Sequence, residues 1–335
     1  MNKQYLKIFS YKNSKISKLS LAFFLKKPNN QIDNIKIAQE IKSQIKTRIA
    51  HRIINLSNFP ICLREFSQIK YVKDLYFDSF NKIDKIDTFN NINDCKSFNL
   101  LLNDIKQNHN NIPVEISKAV QDYKNFPYFD HSLLNHKLNE FYHARIGIRL
   151  LIDYYNFIFT DIIDDYLICN YNDIIDSAFS NAKSLCTHVY NNHIPNPDIK
   201  NEVNSKLLYI PSHLYFISFE ILKNAIRSSV ESNQEKPIEI EIKENKNQII
   251  FVFRDFGKSI SHSEIKKIFN YTYTTVEDKD TRKKKFIAGY GHGLPLSRLY
   301  SRFFGGDLMF VPFQGIKSEV ILYLNKNANS YEIEI

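Results

Sequence analysis

The chain has 335 residues, of which 43% are hydrophobic, and a formal net charge of +9. A hydrophobic share of this size excludes an intrinsically disordered chain, and the length gives room for two globular domains. The four cysteines are widely separated and form no CxxC pair, so neither a zinc site nor a disulfide framework is expected.

The positive charge is concentrated at the N-terminus. Residues 1–32 contain seven lysines and no acidic residue. This composition fits a mitochondrial transit segment, and it fits a simple basic tail equally well, so residues 1–17 are set apart as a basic leader. Because most of the excess charge lies here, the basic balance gives no support to nucleic-acid binding. The apolar run LSLAFFL is too short to span a bilayer, so no membrane span is expected.

Residues 18–168 are predicted to form an all-α domain. They contain one glycine, Gly147, and their apolar residues recur with helical spacing. The pattern predicts helices over 34–56, 63–83, 95–124 and 131–160, which together would make a four-helix bundle.

Residues 169–335 are predicted to form an α+β domain. Seven of the eight glycines lie between positions 257 and 315. The expected elements, in chain order, are a helix over 171–192, a helix that Ser212 caps and that runs to about 231, the hairpin PIEIEIKENKNQIIFVFRD, a short helix over 295–303, and the strands DLMFVPF and SEVILYL. This order predicts a mixed sheet covered by helices on one face.

A polar stripe marks the helix over 212–231. Glu220, Asn224, Arg227 and Glu231 recur at helical spacing, which places them on one face. Asn224 offers a neutral oxygen to a hard cation, and Glu220 is a candidate proton acceptor. Most such stripes are simply solvated, and on its own this one favours that interpretation.

The segment GYGHGLP is a candidate phosphate-binding turn. Glycines at alternate positions allow the backbone to approach a phosphate closely, and the helix that follows would offer its first N–H groups. An ordinary flexible turn has the same composition, so the motif alone is weak. The tripeptide Asp-Phe-Gly at 255–257 also occurs in ordinary protein kinases, but here the glycine-rich turn follows it by 32 residues and no HRD is present, which excludes that class.

The order of these pieces resembles the Bergerat, or GHKL, ATP-binding fold. Within it, the chain resembles the mitochondrial kinases of pyruvate and branched-chain 2-oxoacid dehydrogenases. The resemblance lies in YIPSHLYFISFEILKNAIRSSVE (209–231), IFNYTYTT (268–275) and AGYGHGLPLSRLYSRFFGGDL (288–308).

The resemblance implies a role for each residue of the site. Asp255 would bind the adenine amino group beside Gly257, Asn224 would hold Mg²⁺, and Glu220 would be the general base with His109 packed beside it. The other positions that the resemblance assigns to the nucleotide are Lys223, Arg227, Thr274, Thr275, Gly289, Tyr290, Gly291, His292, Gly293, Leu294 and Ser318, with residues 276–288 as the lid over it. Arg145 and Arg149 match positions where small-molecule regulators bind, and they would serve equally well in salt bridges of the bundle.

The implied activity is transfer of the γ-phosphoryl group of ATP to a serine of the E1α subunit of a 2-oxoacid dehydrogenase, in the mitochondrial matrix. The implied cofactors are ATP and Mg²⁺, with K⁺ as a further candidate. The implied partners are E1α, the lipoyl domain of the E2 core and a second copy of the chain.

Two alternatives stay open at this point. The first is an ATP-binding docking module with little or no phosphotransfer, because Lys258 and Ser259 stand where the family has glycines. The second is a histidine kinase, which is less favoured because none of His109, His136 and His143 is followed by an acidic residue. The chain also ends at Ile335, shortly after the last predicted strand, which leaves the mode of docking to the lipoyl domain open.

Overall fold

The computed structural model describes residues 3–127, 129–159, 167–203, 205–274, 291–327 and 330–333. The chain divides into two compact units, the first made of Met1–Leu19, Phe23–Asp165 and Ile335 and the second of Ser20–Ala22 and Tyr166–Glu334. Each unit is described by itself.

The first unit is helical, which confirms the predicted all-α character. Its helices are α1 (Lys3–Ser10), α2 (Gln31–Ser57), α3 (Ile61–Arg64), α4 (Ser67–Asp84), α5 (Ile92–Asn108), α6 (Ile112–Tyr123) and α7 (His131–Phe157). Their apolar faces meet in a core of aliphatic and aromatic side chains, among them Ile49, Phe80, Leu102 and Leu151, each at most 1% exposed. Within the described residues, no helix of the chain is long and apolar enough to cross a membrane.

The prediction of one continuous helix over 95–124 is wrong. The chain leaves the helix after Asn108 and re-enters one at Ile112. Pro113 lies in the first turn of α6, where its missing N–H costs nothing, whereas in a continuous helix it would remove an internal hydrogen bond. Apolar residues continue at helical spacing across the break, so the sequence pattern gave no sign that the helix ends there.

The basic N-terminal segment is a folded part of the first unit. Ile8 in α1 is fully buried. The ammonium group of Lys7 lies 2.6 Å from the carboxylate of Asp84. Further along, the guanidinium of Arg48 donates a hydrogen bond of 2.9 Å to the carbonyl oxygen of Ser17. Whether residues 1–17 also serve as a transit segment stays a prediction.

The second unit contains a mixed sheet, as predicted, but with five strands where four were expected. Its strands and helices are β1 (Ile168–Cys169), α8 (Tyr171–Tyr190), β2 (Asp198–Asn201), β3 (Leu207–Leu208), α9 (Pro211–Glu231), β4 (Glu239–Glu244), β5 (Gln248–Asp255), α10 (His262–Ile265), α11 (Gly293–Arg302), β6 (Asp307–Phe313) and β7 (Lys317–Asn325). The strand order is β2-β4-β5-β7-β6. Strand β2 runs parallel to β4, and the other pairs are antiparallel.

Helices cover one face of this sheet. Phe251, Leu308 and Leu322 lie opposite one another on β5, β6 and β7, and all three are fully buried beneath the helices. Side chains alternate between the two faces of a strand, so the neighbouring residues Met309 and Ile321 point to the other face. Met309 is 47% exposed there.

Two predicted helix starts are wrong by a short distance. Helix α9 begins at Pro211, and its cap residue Ile210 makes no side-chain hydrogen bond, so Ser212 is not the cap. Proline at the first position already has the helical φ angle, which sets the start of the helix. Helix α11 begins at Gly293 rather than at residue 295.

Candidate functional site

The polar face of α9 holds an ion pair between Glu220 and Lys223. The lysine ammonium lies 2.8 Å from each oxygen of the carboxylate. The lysine side chain is 8% exposed and the glutamate side chain is 13% exposed. The half-buried Asn224 follows directly, and Arg227 comes one turn later beside Glu231. The structure therefore brings the predicted base together with a residue predicted to contact the nucleotide.

The glycine-rich turn leads directly into α11. Gly291 has a φ angle of 83°, and a Cβ there would lie 2.5 Å from the carbonyl oxygen of Tyr273. At Gly293, the first residue of α11, a Cβ would collide with a carboxylate oxygen of Glu220. The cap residue His292 makes no side-chain hydrogen bond to the helix. The first N–H groups of α11 therefore lie beside Glu220 with no side-chain cap, which suits an anion.

His292 contributes to this turn through its backbone. Its ring is buried, with the ring of Tyr271 5.0 Å away in an edge-on arrangement. Burial lowers the pKa of His292 to about 3, so the ring is neutral at physiological pH. Any contact between His292 and a nucleotide would therefore be made by its backbone and not by its ring. Leu294 follows it in the first turn of α11 and is half-buried.

Asp255 ends β5 in a buried position and is 7% exposed. Burial raises the pKa of Asp255 to about 6, although hydrogen bonds from the hydroxyl of Ser228 and the N–H of Gly257 favour the charged form. Ser318 on β7 lies directly opposite Asp255 and is 2% exposed. A Cβ on Gly257 would collide with Ser228, so the chain after Asp255 passes tightly over α9.

Ser228 is a site residue that the sequence analysis missed. It lies four residues after Asn224 on α9, and its hydroxyl group donates a hydrogen bond of 3.3 Å to the carbonyl oxygen of Lys258, close enough to Asp255 to lower the pKa of that carboxyl group. The signal that could have identified it is its position on the same helix face as Glu220 and Asn224.

Some predicted residues are not placed. Thr275, Gly289, Tyr290 and the predicted lid over 276–288 lie outside the described residues, and Thr274 is half-buried at their edge.

His109 lies in the first unit, on the short segment between α5 and α6. It is 5% exposed, its Nε2 atom is 2.9 Å from the hydroxyl oxygen of Ser79, and the ring of Tyr76 lies 4.6 Å away. Burial, with the nearby guanidinium of Arg145, lowers the pKa of His109 to about 4. The predicted packing of His109 beside Glu220, a residue of the other unit, stays a prediction.

The two predicted regulator-binding arginines both bind the segment that carries His109. Arg145 donates a hydrogen bond of 2.7 Å to the carbonyl oxygen of His109. Arg149 donates one of 3.1 Å to the side chain of Asn110. Both contacts are hydrogen bonds to neutral oxygen atoms of the first unit rather than salt bridges, so the predicted salt bridges and the predicted regulator binding both stay predictions.

The residues of the second unit fit a nucleoside triphosphate. The buried Asp255 suits recognition of an amino group, and the uncapped start of α11 suits a phosphate. For Mg²⁺, the described residues contain no cluster of three or more His, Cys, Asp or Glu that could hold a metal ion. Mg²⁺ in nucleotide sites is held chiefly by phosphate oxygens and water, and the amide oxygen of Asn224 as its protein ligand stays a prediction.

Comparisons with known proteins agree with this division of the chain. A family model described as mitochondrial branched-chain alpha-ketoacid dehydrogenase kinase matches residues 15–168. A second model, described as histidine kinase-, DNA gyrase B- and HSP90-like ATPase, matches residues 210–328. The two matches confirm the predicted order of a helical domain followed by a GHKL domain.

Several known kinases are similar to this chain across both of its predicted domains. The mitochondrial pyruvate dehydrogenase (acetyl-transferring) kinase of Arabidopsis thaliana is 28% identical over 324 residues, which cover 88% of this chain and 86% of that protein. Isozyme 4 of the human enzyme is 28% identical over 325 residues, covering 88% and 77%. The Schizosaccharomyces pombe kinase is 32% identical over 257 residues, covering 70% and 60%.

Proposed function

Because the chain belongs to the mitochondrial 2-oxoacid dehydrogenase kinase family of the GHKL superfamily, we propose that it transfers the γ-phosphoryl group of ATP to a serine of a dehydrogenase E1α subunit and thereby inhibits the complex. Its place of action would be the mitochondrial matrix, and its docking partner the lipoyl domain of E2. The observation that carries the proposal is the convergence of Glu220 with the uncapped N-terminus of α11, in the unit where Asp255 lies buried.

Each residue would act through the geometry described above. Asp255 accepts a hydrogen bond from the adenine amino group, and the first N–H groups of α11 bind phosphate oxygens. Glu220 accepts the proton of the substrate hydroxyl group. Asn224 holds Mg²⁺, which neutralises phosphate charge when bound. Most of the rate enhancement would come from positioning and charge neutralisation, as in other phosphoryl transfers.

Phosphotransfer to purified E1 tests the proposal. The chain is incubated with labelled ATP and either pyruvate or branched-chain E1, each with its lipoylated E2, and incorporation into serine of E1α is measured. Glu220→Ala should abolish the transfer while ATP still binds. Glu231→Ala is the matched control, because Glu231 lies on the same stripe but is 41% exposed and should tolerate the change.

Two results would contradict the assignment. Transfer that continues in Glu220→Ala would remove Glu220 from the role of base. Bound nucleotide with no transfer to any component of either complex would favour a docking module instead.

A homodimer through the open face of the sheet is also part of the proposal. The face of the sheet that points away from the helices carries an apolar patch made of two opposed pairs, Ile250 with Tyr323 and Met309 with Ile321. Burial of such a patch stabilises association. Met309→Lys should shift the mass measured by light scattering from dimer to monomer, whereas a wild-type monomer would refute this part.

A further inference from the structure

We infer that Lys223 is a positioning residue that holds Glu220 in the nucleotide-free protein and passes to the terminal phosphate when ATP binds. This inference rests on the proposed function. It assigns to Lys223 a coupling role, because one ammonium group would serve either the base or the phosphate.

The first argument is the tightness of the ion pair. Both carboxylate oxygens of Glu220 lie 2.8 Å from the ammonium group of Lys223. The centre of the Phe219 ring lies 5.4 Å from the same ammonium group. Ion pairs three residues apart on an exposed helix face contribute little, but these two side chains are about nine-tenths buried and poorly screened by water. Because both oxygens of Glu220 already accept hydrogen bonds from this ammonium, a substrate hydroxyl group can reach the carboxylate only by sharing or displacing them.

The second argument is the position of the pair. Glu220 contacts the first residue of α11, Gly293, so the ammonium of Lys223 lies one hydrogen bond away from a carboxylate oxygen at the phosphate-binding helix end. An anion arriving there repels the carboxylate and attracts the ammonium. An ammonium has three N–H donors, so it can begin to bind a phosphate before it leaves Glu220.

The consequence is that Glu220 becomes available as a base only when the terminal phosphate is in place. The terminal phosphate distinguishes ATP from ADP, so Lys223 should contribute to that discrimination. Separating Lys223 from Glu220 costs free energy, and this cost weakens ATP binding.

A binding cycle with ATP and ADP, each measured calorimetrically with Mg²⁺ on the full chain, tests this inference. Glu220→Gln should tighten ATP binding about tenfold and leave ADP binding unchanged, because the ammonium no longer has to leave a charged partner. Lys223→Met should weaken ATP binding about tenfold and ADP binding little. The double variant should match Lys223→Met, and Lys223→Arg should retain much of the discrimination.

The control is Lys183→Met on α8, whose ammonium binds Asn196, and it should change neither affinity. Circular dichroism verifies that each variant is folded, and Lys223→Arg keeps the test informative if the methionine variant does not fold. The inference is overturned if Glu220→Gln leaves the ratio of ATP to ADP affinity at its wild-type value, or if Lys223→Met and Lys223→Arg weaken both nucleotides equally. These are binding measurements, so a failure to phosphorylate E1α would count against the proposed function and not against this coupling.

Discussion

Replacing Asp255 by asparagine should stabilise the nucleotide-free protein while weakening its binding of ATP. Burial raises the pKa of this carboxyl group from 3.8 to about 6. Because the folded-state pKa is the higher one, the contribution of Asp255 to stability is greatest below pH 4 and is lost as pH rises through 6. A rise of this size in the pKa means that the ionised Asp255 lowers the free energy of unfolding by at most about 3 kcal/mol at neutral pH. Asparagine is neutral at every pH, so the variant avoids this cost.

Thermal melts and calorimetry at two pH values check the prediction. Without nucleotide, Asp255→Asn should melt several degrees above wild type at pH 7.5, at about 2–4 °C per kcal/mol, and near it at pH 4. Its ATP affinity should fall by about tenfold to a hundredfold at pH 7.5. Wild-type ATP affinity should fall about tenfold between pH 7.5 and pH 5 as Asp255 becomes protonated, and the variant should lack this dependence.

Asp307→Asn serves as a control of opposite sign in the same unit. Burial would raise the pKa of Asp307, but the guanidinium groups of Arg302 and Arg298 hold it well below its usual range. This variant should lose stability at pH 7.5. The reasoning about Asp255 is refuted if its asparagine variant melts at or below the wild-type temperature at pH 7.5, or if the difference is the same at pH 4.

The remaining predictions concern the glycine-rich turn and the N-terminal helix. Gly291→Ala should weaken ATP binding measured by calorimetry, because alanine at a φ angle of 83° costs about 1 kcal/mol and its Cβ would press on Tyr273. Gly315→Ala is the control, because Gly315 has a φ angle of 72° with open space around it. The control should lower the melting temperature and leave the ATP affinity unchanged. Ile8→Ala should lower the free energy of unfolding of the first unit by about 2–5 kcal/mol in urea titrations, whereas Leu6→Ala, at a position 53% exposed on the same helix, should change it little. Equal melting of both α1 variants and wild type would mean that α1 does not stabilise the bundle.

The sequence predicted the elements that have a strong period and missed those that depend on tertiary contacts. The spacing along α9 correctly placed Glu220 and Asn224 on one face. It did not reveal that Lys223 neutralises Glu220, because a pair three residues apart looks the same whether it is solvated or buried. The parallel strand β2 was missed because all four of its residues are exposed and show no alternation. The break after α5 was missed because apolar residues continue at helical spacing on both sides.

The packing of α1 has a consequence for how the chain would reach its compartment. If residues 1–17 carry a mitochondrial address, that address is readable only while the chain is unfolded, because in the folded unit Ile8 is buried and Lys7 is bound to Asp84. An import receptor would then compete in time with the chain's own folding. Variants that slow docking of α1 would lengthen the interval in which the signal is accessible, and variants that tighten it would leave more protein stranded outside the organelle.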